Sequence, residues 1–206
     1  MKTWLATLGF ALGSLSPSQA AAQAWPTGPI TFIVGFAPGG STDIAARVIA
    51  QQLTIKLGQT VVVDNRPGAS GVLGATVIAR AKPDGQSFLF GSGSLAAGPS
   101  LLKSLPYDLA SDFAPVAQVT TIPNILAVHP SVPVKNAKEF VEYVKANPGK
   151  VNYGSAGPGS LQHIAGALFD KMINGRMVHI PYKGGALANA DLVAGRVHAE
   201  IGRAHV

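Results

Sequence analysis

The sequence predicts an α/β fold built as two lobes, and three observations carry that reading. Short apolar runs alternate with helical patterns along the chain, as in strand–helix–strand units with right-handed crossovers. Two Gly/Ser-rich loops, "GFAPGGST" and "GSAGPGS", each lie between a strand and a helix, one in each half. The composition, 47% hydrophobic and 13% charged over 206 residues, can bury a core and argues against low-complexity disorder.

Residues 1–24 are set aside first. Lys2 precedes an apolar run too short to span a bilayer, followed by small residues, the pattern of a secretory signal cut near Ala24. Export and the absence of cysteine suggest a periplasm-like compartment and a fold without disulfides. The formal charge of +6 comes from basic residues scattered singly, with no stripe or aromatic-interleaved patch, so a nucleic-acid partner is not expected.

"ITFIVGF" reads as a first strand, apolar throughout as in a buried parallel sheet. A helix follows from about Asp43, with Ile44, Val48, Ile49, Leu53 and Leu57 available for its buried face and Gly58 as its stop. "QTVVVDN" is a second strand, "GVLGATVIARAK" holds a second helix ended by Pro83-Asp84-Gly85, and "SFLF" is a third strand opening into another Gly/Ser loop. The proline-rich middle is irregular, apart from "NILAVH", which could cross between lobes. We place the lobe boundary near residues 120–125, giving lobe one as 25–122 and lobe two as 123–199.

In lobe two, Asn136 and Glu139 resemble a capping box that opens a helix carrying Phe140, Val141 and Val144 and stopping at Asn147-Pro148-Gly149. "VNYGS" is a strand, Leu161 to Met172 a helix and "RMVHIPY" a strand. "GGALANADLVAG" is a short helix capped by Gly195, and "RVHA" begins another strand.

The chemistry sits at the two loops. A helix N-terminus presents unpaired N–H groups and a partial positive charge, and glycine lets a ligand approach the backbone closely. Ser41, Thr42, Ser155 and Ser160 add hydroxyls, so a small anion is the natural occupant. The alternative for either loop is a tight strand-to-helix turn that binds nothing. Neither loop has the spacing of a dinucleotide fingerprint or a P-loop, although Asp64 falls where a ribose-binding acid would. Ser160 and His163 could be imagined as part of a nucleophile system, but no nucleophile elbow and no orienting acid accompany them. The histidines lack metal-ligand spacing, and neither a metal nor a cofactor is expected.

Six ordered motifs now carry a resemblance: "WPTGPITFIVGFAPGGSTDIAARVIAQQL", "VVVDNRPGASGVLGA", "AKPDGQSFLFGS", "LPYDLASDFAPVAQV", "NYGSAGPGSLQHIAGALF" and "HIPYKGGALANADLVAGRV". Over residues 25–199 the chain resembles the Bug (TctC-type) substrate-binding proteins of tripartite tricarboxylate transporters. The resemblance implies a two-lobed periplasmic-binding-protein fold, each lobe a mostly parallel sheet flanked by helices. It also implies a monomeric receptor that captures a small carboxylate and delivers it to membrane subunits, with no enzymatic activity. Carried over, the ligand-binding residues are Phe36, Pro38, Gly39, Gly40, Ser41, Thr42 and Asp43 on one side. Ser155, Gly157, Pro158, Gly159 and Ser160 lie on the other. A later motif adds Tyr182, Lys183 and Gly184, and the third loop adds Ser92. On the residues alone Asp43 reads instead as an early-helix acid that ties the loop. A secreted hydrolase-like enzyme and a carboxylate sensor are the alternatives.

The pattern departs at Ala96-Ala97-Gly98, where relatives often carry more polar residues, and at the end. Family chains continue beyond "DLVAGRVHA" to complete lobe two and return to lobe one. The final "EIGRAHV" can be encoded by GAG ATC GGA AGA GCA CAC GTC, which looks like a sequencing-library adapter. We therefore expect residues 200–206 to be a non-native tail, its foreign residues beginning at about Ile201, and both lobes to be incomplete in this sequence.

Overall fold

Residues 25–203 are described by a computed structural model. The expected signal segment and Ala204–Val206 lie outside the described residues. β1 (Ile30–Val34) is the middle strand of the first sheet, between β2 (Val61–Asn65) and β3 (Ser87–Leu89), all three parallel. A central parallel strand is covered on both faces, which is why "ITFIV" carries no polar alternation. Phe32 anchors the core below it, edge-on to Phe88 at 6.1 Å and tilted against Phe90 at 5.7 Å.

α1 (Ser41–Leu57) starts two residues earlier than expected and ends in Gly58, whose φ of 63° lies in the left-handed region. Its buried face differs from expectation. Ala46 and Ala50 are buried against the sheet, flanked by Ile49, Leu53 and Leu57, whereas Ile44 and Val48 face outward at 49% and 56% exposure. Small residues let the helix axis come close to the sheet, and that contact outweighs the larger apolar area Ile44 and Val48 would offer.

A 3₁₀ turn (Ala69–Gly71) leads into α2 (Val72–Ala79). α2 meets the end of β1 backbone to backbone: a Cβ on Gly35 would sit 2.5 Å from the Gly71 Cα, and one on Gly74 2.9 Å from the Gly35 Cα. Those glycines therefore serve packing rather than loop flexibility. α3 (Ser94–Leu101) was not expected, because Gly98 and Pro99 argue against a helix on propensity. Its last turn closes with the Leu102 N–H donating to the Gly98 carbonyl at 3.0 Å.

The second sheet runs β4 (Asn124–Val128), β7 (Ala199–Arg203), β5 (Asn152–Ser155), β6 (Val178–Pro181) in spatial order. β5, β6 and β7 are parallel, and β4 joins antiparallel at one edge. α4 (Ala137–Ala146) buries Phe140 and Val144, and its cap is the one expected: the Asn136 side chain accepts from the Glu139 N–H. α5 spans Leu161–Met172 as expected, with Phe169 stacked on Phe140 at 6.1 Å. α6 (Gly185–Val193) ends at Ala194, and Gly195 follows at φ 71°.

Ile201–Arg203, within the segment expected to be foreign, complete β7 in register with Asn124–Leu126. The pairing itself is made by backbone groups, so it does not depend on the native side chains of the family. Among the described residues no helix is long and apolar enough to cross a membrane.

Candidate functional site

β1 and β5 each end in a loop that turns into a helix, and both loops converge on one cleft of about 380 Å³ including its open mouth. From the first lobe come Phe36, Gly40, Ser41, Thr42 and, from the third loop, Ser92. The facing side supplies Ala156, Leu161, Gln162 and Gly185, and Arg203 also reaches the cleft. No carboxylate lines it.

The first loop is held open by Asp43. Its carboxylate is 2% exposed and accepts from the Gly39 N–H at 2.9 Å, Arg47 Nε at 3.0 Å and Asn65 Nδ2 at 2.9 Å. Burial alone would push the acid up, but those hydrogen bonds outweigh it and keep the carboxyl below its ordinary range. Asn65 also donates to the Phe36 carbonyl at 3.0 Å, so the end of β2 braces the loop from behind. Asp43 is thus spent on positioning. Pro38 and Gly39 are exposed beside the cleft without lining it.

The facing loop is organised differently from the first. Ser160 is the N-cap of α5, accepting from the His163 N–H at 3.2 Å, and the Gly159 N–H donates to His163 Nδ1 at 3.0 Å. One N–H of the α5 mouth is therefore satisfied internally, while Leu161 and Gln162, its first two residues, line the cleft. Ser155, with 0% exposure, bonds His179 Nε2 at 2.6 Å and accepts from the Gly157 N–H at 3.1 Å. Pro158 and Gly159 turn toward a neighbouring cavity, described below.

A further helix mouth at the cleft is that of α6. α1 and α6 begin at Gly40 and Gly184, and neither has a side-chain cap. The two mouths meet: the Ala37 N–H reaches the Lys183 carbonyl at 3.4 Å, and a Cβ on Gly184 would sit 3.1 Å from the Ala37 Cβ. Tyr182 anchors this corner by donating to Asp191 at 2.7 Å, its phenol pushed up to about 12 by burial and by that carboxylate. Lys183 is exposed. The Gly184-Gly185 pair before a helix repeats the Gly39-Gly40 signal. Leu161 and Gln162 come directly after the expected second loop, as the first two residues of α5, though neither was singled out from the sequence.

Arg203 enters from β7, its Nη1 3.3 Å from both the Ser41 and Thr42 hydroxyls. Burial pushes its guanidinium down from the ordinary value. As it belongs to the segment expected to be foreign, the grip proposed below rests on the helix mouths and hydroxyls. Asp64, the ribose-acid candidate, is paired with Arg66 at 2.9 Å and lines no cavity described here. Among the described residues no group of three metal-binding side chains gathers.

Comparisons with known proteins fit this geometry. The family model described as "Tripartite tricarboxylate transporter family receptor" matches residues 45–204. The chain is 39% identical over 200 residues to protein BugT of Bordetella pertussis, covering 96% of this chain and 60% of BugT. A Pseudomonas protein encoded between tcbD and tcbE is 37% identical over 193 residues, covering 94% of this chain and 57% of its own. The chain thus spans under two thirds of the length of these relatives. Among solved structures, R. palustris Rpa4515 with adipate aligns at TM-score 0.84 and 38% identity, over 87% of this chain and 60% of that one. MatC from Rhodopseudomonas palustris with bound malate aligns at 0.80 and 32%, over 87% and 61%. The structure titled a periplasmic transporter aligns at 0.85 and 42%, over 87% and 61%. With the family model matching most of its length and two such helix mouths meeting at one cleft, the chain belongs to the tripartite tricarboxylate transporter receptor (TctC) family.

Proposed function

We propose that the protein is a periplasmic solute receptor that captures a small carboxylate and hands it to the membrane subunits of a tripartite transporter. The observation that carries this is the cleft itself: two uncapped helix mouths and the hydroxyls of Ser41, Thr42 and Ser92, with no acid among the lining residues. Each hydrogen bond to a charged group contributes about 1.5–3 kcal/mol, so a handful supports capture of an anion. Adipate and malate in the two related structures support the ligand class. The receptor acts as a monomer after removal of a signal peptide near Ala24, and lobes 25–122 and 123–199 close on the acid. Binding the closed form more tightly than the open form is what would make ligand state visible to the transporter.

A hydrolase reading finds little to use. The buried serine–histidine pair, Ser155 and His179, has a hydroxyl with 0% exposure, out of reach of any substrate carbonyl. Transport without catalysis is the better account.

Gly40→Val tests the grip. A Cβ at Gly40 meets nothing nearer than the Ala37 carbonyl at 3.8 Å, and the residue's φ of −79° suits any side chain. The variant should fold, with a ligand-free melting temperature within a few degrees of wild type. A panel of mono-, di- and tricarboxylates should raise the wild-type melting temperature and leave the variant unmoved. An equal shift in both proteins would remove the α1 mouth from the site.

A further inference from the structure

A second cavity, about 290 Å³ including its mouth, lies against the same loops. Val72, Leu95, Leu101 and Leu102 make its walls apolar, and Pro158 and Gly159 reach it from the second lobe. Tyr107 lines it as well. The residue is 7% exposed, and its hydroxyl has no hydrogen-bond partner, unlike the other buried side-chain polar atoms among the described residues. Phe113 packs edge-on to its ring at 5.3 Å, and burial pushes the phenol up, so it stays a protonated donor. The serines of the wall are already engaged. Ser70 Oγ donates to the Pro158 carbonyl, and Ser94 Oγ donates to the Ser70 carbonyl at 3.3 Å. Ser94 Oγ also lies 2.7 Å from Ser92 Oγ, and Ser92 lines the first cleft, so this hydroxyl pair joins the walls of the two cavities.

A buried donor without a partner is rare in folded proteins and asks for an explanation. We propose that the second cavity is a side pocket of the binding cleft, taking the far end of the ligand: an apolar arm bearing a carbonyl or hydroxyl that accepts from Tyr107. This rests on the carboxylate reading above and narrows it. The acceptor is neutral because no cation lines the pocket, and a second carboxylate buried there would lose its hydration with no opposite charge in return. The ligand class is therefore a monocarboxylic acid with an oxo or hydroxy group further along an apolar chain.

Calorimetric titration of the whole protein with hexanoate, 5-oxohexanoate and adipate tests this. The oxo acid should bind about five-fold more tightly than hexanoate, the size expected for one neutral hydrogen bond, and adipate should not match it. Tyr107→Phe should erase the difference between oxo acid and hexanoate. Leu101→Trp, at the half-exposed rim, should weaken both six-carbon acids and spare propionate. An unchanged oxo-acid preference in Tyr107→Phe, adipate as the tightest ligand, or full six-carbon affinity in Leu101→Trp would each overturn the side pocket while leaving carboxylate capture standing. If wild type binds none of these acids or any other carboxylate, the receptor reading fails and the pocket with it.

Discussion

Glu200 and His179 pull the stability of the fold in opposite directions over the same pH range. Burial pushes the Glu200 carboxyl, 2% exposed, up to about 7. It favours the protonated fold, so its contribution is complete below pH 4.5 and is lost as pH rises to about 7, a change on the order of 3 kcal/mol. His179 is pushed down to about 4, first by burial and then by the neighbouring His163, stacked 4.2 Å away. It favours the neutral fold, so its contribution is complete above pH 6.5 and is lost on acidification toward pH 4. Between pH 4.5 and 6.5 the two slopes oppose each other. Urea midpoints of wild type should therefore vary little there. Glu200→Gln should expose a loss of stability on acidification, and His179→Phe a loss on alkalinisation. Parallel pH profiles for the two variants would contradict the assignment.

Among the elements, α4 shows how a cap converts sequence into a helix start. Asn136 accepts from the Glu139 N–H at 3.0 Å, and Glu139 returns bonds to the Asn136 side chain and to the Lys135 N–H, each at 2.7 Å. The return bond goes one residue further back than a standard capping box, to Lys135 rather than to the cap residue itself. Asn136→Ala should cost about 1 kcal/mol and lower the melting temperature by about 2–4 °C, measurable by circular dichroism. Elements of this kind were legible beforehand: the limits of α5, the stop of α1 at Gly58 and the cap of α4 all follow from local chemistry. α3 was not, since Gly98-Pro99 hides it, and the buried face of α1 was misread because apolar size was weighed above close approach. In the candidate site, Gly40, Ser41 and Thr42 could be read from a glycine pair before a helix. Gln162 was not singled out, although it follows the expected second loop.

At the scale of the whole molecule, the contacts between the two lobes include a backbone bond, a side chain-to-backbone bond and the Arg203 guanidinium against the Ser41 and Thr42 hydroxyls. Ala37 reaches Lys183, and the Ser70 hydroxyl donates to the Pro158 carbonyl. Ser70 holds a φ of 54°, a conformation that is uncommon and costly outside glycine. A strained residue at the point where two lobes touch fits a contact made and released in the closure proposed above. Ser70→Gly would remove the hydroxyl and relieve the backbone together. It should lower carboxylate affinity about five-fold and enlarge the ligand-free radius of gyration seen by X-ray scattering. Unchanged values for both would show that the Ser70 bond does not favour closure.

Strand and helix order, the glycine pair before α1 and the family motifs were determined by the sequence itself, because they depend on local periodicity and on backbone freedom at single residues. Which helix mouths face each other was decided only in three dimensions. Ser160 takes up one N–H at the mouth of α5, and the mouth of α6 joins those of α1 and α5 at the cleft. Tyr107 and Ser94 likewise acquire a shared setting with Pro158 and Gly159 only when the loops after β3 and β5 fold against each other. A hydrogen-bond partner far along the chain has no local signature, and whether a polar group is free to meet a ligand is settled by what packs beside it.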